Sequence, residues 1–122
     1  MYLRCLDKNS ITITAGNSAV IDITPIDEAS GLPIRLTADD KVIFTISTRL
    51  GKTKLQKTLT NEDYSDPEDT SLNCVINPED TIGWYPDCYI YDCLLITPEE
   101  AVTFINSTFV VDEALGKYTD GG

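Results

Sequence analysis

The sequence predicts an all-β fold, an antiparallel sandwich of about eight short strands with one helical turn. Three observations carry this. Apolar residues alternate with polar ones in runs of 4 to 9 residues. Gly, Pro, Asn and Asp punctuate those runs at regular intervals. No stretch repeats apolar residues at the spacing of an amphipathic helix, and the runs leave no room for helical crossovers between parallel strands.

The first run, "SITIT", places Ile11 and Ile13 on one face and Thr12 and Thr14 on the other. "AGNS" follows, with Gly16 and Asn17 suited to a tight turn. "AVIDIT" then sets Ala19, Ile21 and Ile23 inward. The two runs read as a hairpin. "PIDEASGLP" breaks regular structure, and "KVIFTIST" resumes it with Val42, Phe44 and Ile46 inward. "KLQKTLT" alternates through Leu55 and Leu59. Its lysines at 52, 54 and 57 mark an edge strand, where charge blocks unwanted pairing. "NEDYSDPED" is a polar surface loop. "SLNCVI" points Leu72, Cys74 and Ile76 inward, and "CYIYDCLLI" is the most apolar strand, with Tyr89, Tyr91 and Leu95 in the expected core. "AVTFI" and "TFVVDEA" flank Asn106 and Ser107, which read as a hairpin tip. One domain is expected over 1–115, with a flexible tail over 116–122.

Between the last two core strands lies "NPEDTIGWYPD". Asn77 suits the cap of a short helical turn, Pro78 its first position, Asp80 the positive end of the turn dipole and Gly83 its termination. Ig-like sandwiches place such a corner before the penultimate strand, with a Tyr two residues before a Cys. Tyr91 and Cys93 have that spacing, so the sandwich reads as Ig-like. The early Cys and the strand Trp of antibody domains are missing: Phe44 stands in the third strand and the single Trp is Trp84, in the corner.

A chain of 122 residues buries about two-thirds of its unfolded surface, enough for a core without staples. Nine basic residues against twenty acidic ones give a net charge of −11, which argues against nucleic-acid and anionic-membrane partners. No window approaches the roughly 20 apolar residues of a membrane span, and "MYLRCLDKNS" has no secretory signal pattern. Cys5, Cys74, Cys88 and Cys93 form no Cys-x-x-Cys pair and there is no histidine, so zinc is not expected. Without export, all four are expected as reduced thiols.

Catalytic constellations fail as well. Without histidine no imidazole base exists, and no cysteine has an evident base beside it. Asp80 and Asp92 carry no mark of an acid–base pair. Glu62, Asp63, Asp66, Glu68 and Asp69 offer hard oxygens, but without the EF-hand spacing they read as a solvated loop. The expectation is a non-enzymatic chain with no cofactor and no metal.

The order "SITITAGNSAVIDIT", "LTADDKVIFTIST", "INPEDTIGWYPDCYIYDCLLI", "AVTFINSTFVVDEAL" resembles the N-terminal domain of bacteriophage baseplate upper proteins and related small virion proteins. The matching elements are Asp40 with Phe44, Asp80 with Thr81, Tyr89 with Tyr91 and Asp92, and Thr103 with Phe109. The likeness covers nearly the whole chain. It departs at Ala15-Gly16-Asn17, where the family often carries Gly-Asp, and at Cys93, where an aliphatic residue is usual.

This resemblance implies a phage or prophage structural protein, an adaptor or decoration domain of the tail or baseplate. Its partners would be other virion proteins or further copies of itself, and its location the virion, assembled in the host cytoplasm. The candidate corner and interaction residues are Asn77, Asp80, Thr81, Trp84, Tyr85, Tyr89, Tyr91 and Asp92. Outward apolar residues at 20, 43, 75, 90, 94 and 96 also point to a partner. The alternative is a carbohydrate-binding module, with Trp84, Tyr85 and Tyr64 as an aromatic platform.

Overall fold

A computed structural model describes residues 10–27, 29–64, 66 and 68–112. The chain is an all-β, Ig-like sandwich. Its elements are β1 (Ile11–Thr14), β2 (Ala19–Ile23), β3 (Lys41–Ser47), β4 (Thr53–Leu59), β5 (Leu72–Ile76), the short helix α1 (Pro78–Thr81), β6 (Asp87–Ile96) and β7 (Ala101–Asp112). Among the described residues there are thus seven strands, against about eight expected. The expected tail at 116–122 lies outside the described residues.

A five-stranded sheet runs in the order β1-β7-β6-β3-β4, and β2 pairs with β5 alone. Alternation along each strand decides which side chains meet between the sheets. From the small sheet come Ile23, Leu72, Cys74 and Ile76, and from the large one Val42, Phe44, Ile46, Tyr89, Tyr91, Cys93, Leu95, Phe109 and Val111, all buried. Phe44, Tyr91 and Phe109 form an aromatic triangle at the centre, with ring centroids 5.4 to 6.3 Å apart. Tilted and edge-on contacts of this kind suit the ring quadrupoles.

The pairing corrects the expected hairpin of the first two strands. β1 pairs in parallel with β7, Ile11 opposite Phe109, whereas β2 pairs antiparallel with β5, Ile21 opposite Cys74. The intervening turn passes from one sheet to the other. Gly16 makes it possible at φ +82°, a conformation that costs a side-chain-bearing residue dearly. With β2 and β5 on one side and β4, β3, β6 and β7 on the other, the arrangement matches the B–E and C′–C–F–G grouping of Ig-like domains.

Asn106 and Ser107 are not a hairpin tip. They lie inside β7, which continues past them opposite Asp92 and Tyr91. The strand does not reverse there; its one irregularity is a register shift nearby, opposite Cys93 and Leu94, where Phe104 is the extra residue. β4 is the outer strand beside β3, as its lysines require. Cys74 and Cys93 are free and buried, but the expectation of four reduced thiols fails at Cys88, which is disulfide-bonded.

Candidate functional site

The corner between β5 and β6 gathers six of the eight sequence-predicted residues. Its turn closes through Asp80, whose Oδ2 accepts the Asn77 amide hydrogen bond at 2.7 Å. Pro78 occupies the first turn, where its missing N–H is not needed. Gly83 at φ +84° then turns the chain out of the helix. Thr81 is fully buried, and its Oγ1 accepts from the Gly16 amide at 3.0 Å, tying the β1–β2 turn to the corner.

Lys57 reaches across from β4, and its Nζ lies 2.9 Å from Asp80 Oδ2. Partial burial alone would raise the Asp80 carboxyl, but the Lys57 ammonium and the Asn77 amide hold it below its ordinary value. Trp84 is half-buried. Its ring lies 5.1 Å from that of Tyr89, and Lys54 Nζ lies over the Trp84 ring, 5.1 Å from its centroid, as a cation–π contact.

Tyr89 is tied to the corner through its hydroxyl. Tyr89 Oη donates to the Tyr85 carbonyl oxygen at 2.9 Å, the upstream backbone bond that defines such a corner. Tyr91 lies in the aromatic core instead, two residues further along the same inward face. Asp92 points the other way, to the outer face of the large sheet, where burial raises its carboxyl. Tyr91 thus faces the core and Asp92 the outer face of the large sheet.

Tyr85 is 83% exposed. Tyr64, the third aromatic of the proposed platform, stands near the opposite end of β5, where it bridges to Leu72. Its Oη accepts from the Leu36 amide at 2.9 Å and Arg35 lies 4.0 Å over its ring. Tyr64 and the Trp84–Tyr85 pair thus do not share one surface. In the acidic loop, Asp63 and Asp66 accept local amide hydrogen bonds. Among the described residues, no three His, Cys, Asp or Glu side chains converge as a metal site.

Burial pushes the Cys74 and Cys93 thiols up to about 12. Both are protonated at neutral pH and so lack the thiolate that nucleophilic chemistry requires.

The outer face of the large sheet carries half-buried Ile43, Ile90, Leu94 and Ile96. Ile43 lies opposite Leu94 in the ladder between β3 and β6. On the small sheet Val20 faces Val75, and the two are 61% and 48% exposed.

Two further features escaped sequence reasoning. At the end of the sandwich where β3 begins and β6 ends, a half-open cavity of about 410 Å³ is lined by Ile26, Asp27, Ile34, Leu95, Glu100, Val102 and Phe104. It forms because the 25–34 loop folds back on itself, with Ile26 bridged to Pro33 and Ile34 N–H bonded to the Pro25 carbonyl. Such a fold-back leaves no periodic signal. At the opposite end, the β3–β4 turn lifts Leu50 into solvent at 98% exposure.

No protein-family model matches the chain, and no curated protein matches it.

Proposed function

We propose that the chain is a non-enzymatic structural protein of a phage or prophage particle, an adaptor or decoration domain of the tail or baseplate region. The observation that carries this reading is the apolar outer face of the large sheet. An antiparallel sheet with one face in the core needs no second apolar face. Here Ile43, Ile90, Leu94 and Ile96 supply one. Apolar side chains on an outer sheet face, here on either side of Asp92, favour a protein partner. The resemblance in residue order to baseplate upper protein N-terminal domains supports other virion proteins as the class of partner. The net charge of −11 disfavours nucleic acid as the alternative partner.

The test places Ile90→Lys with Leu94→Lys in the gene and follows incorporation into particles. The wild-type chain is expected to co-purify with particles. The double variant is expected to fold and stay behind, because two buried cations at an interface are strongly disfavoured. Incorporation of the variant at the wild-type level would refute the sheet-face reading.

Tyr85, largely exposed beside Trp84, supports a second reading as a carbohydrate-binding module. Glycan-array binding that disappears in Tyr85→Ala, with the melting temperature unchanged, would favour it over the first.

A further inference from the structure

We propose that copies of this chain associate head to tail, with the Leu50 turn of one copy seated in the end cavity of the next. The two surfaces lie at opposite ends of the sandwich. β3 leaves the cavity end, where Val42 pairs with Leu95, and reaches the turn end, where Ser47 pairs with Ile90. At strand geometry this separates them by about 20 Å.

Their chemistry is complementary. The turn presents an apolar tip, Leu50, between Lys52 and Arg49, all exposed, with Arg49 also 3.4 Å from Asp87 of its own chain. Gly51 at φ +94° and the Thr48–Lys52 backbone bond at 2.8 Å hold the turn in one shape. The cavity offers apolar walls, Ile34, Val102 and Phe104 among them, together with the exposed carboxylate residues Asp27 and Glu100. The chain on either side adds charge at this end: Glu99 just after β6, and Asp39 and Asp40 just before β3, beside the one cation Lys41 at the first position of β3. A leucine flanked by cations therefore meets an apolar recess flanked by carboxylates.

Because the two surfaces differ, the contact is heterologous. It propagates to rings or open chains and does not stop at a dimer. A contact this small, formed between chains of net charge −11, is weak, with Kd on the order of 0.1–1 mM. The inference rests on these two end surfaces and not on the sheet-face reading above.

Sedimentation equilibrium of the full chain up to about 1 mM tests it. The wild-type weight-average mass should rise with concentration and pass that of a dimer. Leu50→Asp keeps the cavity and loses the tip. Val102→Arg, with Glu100→Lys as a second and more exposed choice, keeps the tip and loses the cavity. Each variant alone should associate at least about tenfold more weakly, with its melting temperature retained. An equimolar mixture of a tip variant and a cavity variant should form a heterodimer that grows no further. A wild-type chain that stays monomeric, association unmoved by Leu50→Asp, or a mixture that fails to pair overturns the proposal. A monomer that still enters particles would overturn it while leaving the adaptor reading intact.

Discussion

Tyr89 Oη donates to the carbonyl oxygen of Tyr85 at 2.9 Å, so the first inward residue of the central strand is pinned to the corner that precedes it. A buried tyrosine needs a partner for its hydroxyl, and here the partner is backbone that would otherwise be a free loop. Removing the hydroxyl with Tyr89→Phe is expected to lower stability by about 1 kcal/mol. Urea denaturation read by Trp84 fluorescence measures it. An unchanged midpoint would mean that the corner is held by the turn alone.

The Lys57–Asp80 contact fastens the same corner to the edge strand from the other side. Since Asp80 titrates below the ordinary carboxyl range when folded, its contribution is present above the unfolded pKa and is lost as pH falls through the folded one, below about pH 4. Asp80→Asn should flatten the acid limb of the stability curve. A double-mutant cycle with Lys57→Met should give a coupling of about 1 kcal/mol at pH 7 that shrinks as the carboxyl protonates in acid. Both side chains are largely shielded, which places the pair at the upper end for surface contacts.

Asp92 has the opposite sign. Burial on the outer sheet face raises its folded pKa, so ionisation above that value costs stability which protonation restores. Asp92→Asn is expected to stabilise the isolated chain by about 0.5 kcal/mol at pH 7 and to be neutral at pH 3. Thermal melts at the two pH values separate this from a general effect of the amide.

Cys74 and Cys93 should resist thiol reagents in the native state. Their raised pKa values leave almost no thiolate at pH 7, and both are buried. Labelling with a chromogenic disulfide reagent is expected to require unfolding and to track the denaturation midpoint. Rapid labelling of either thiol under native conditions would contradict the core placement.

Most of the fold was legible because inward residues of a buried-face strand recur at every second position. Val42, Phe44, Ile46, Leu72, Ile76, Tyr89, Tyr91 and Leu95 were expected in the core and are buried there. The corner was legible for a different reason: Pro78, Asp80 and Gly83 each suit one backbone position and few others. What alternation cannot show is which strand pairs with which. The turn at Gly16 would suit a hairpin, yet it links two sheets.

Nor does local polarity separate a turn from a strand carrying one polar residue inward. Ser107 is buried at a core-facing position of β7, and its Oγ has no hydrogen-bond partner among the described residues. Ser107→Ala should accordingly raise stability by about 1 kcal/mol, measurable as a higher denaturation midpoint.

The candidate site was legible only in part. Asn77 to Tyr85 come together because they are contiguous in the chain. Lys57 was missed because its partner lies across the sandwich, and the end cavity because its walls come from three separate segments.

The central claim, that this sandwich works by being built into a particle, is tested most directly by quantitative mass spectrometry of purified particles assembled from the gene together with its chromosomal neighbours. The account predicts this chain at a fixed copy ratio to the other tail components, unchanged by a salt wash. Its absence from the particles, with the chain recovered only in the free soluble fraction, would contradict the account.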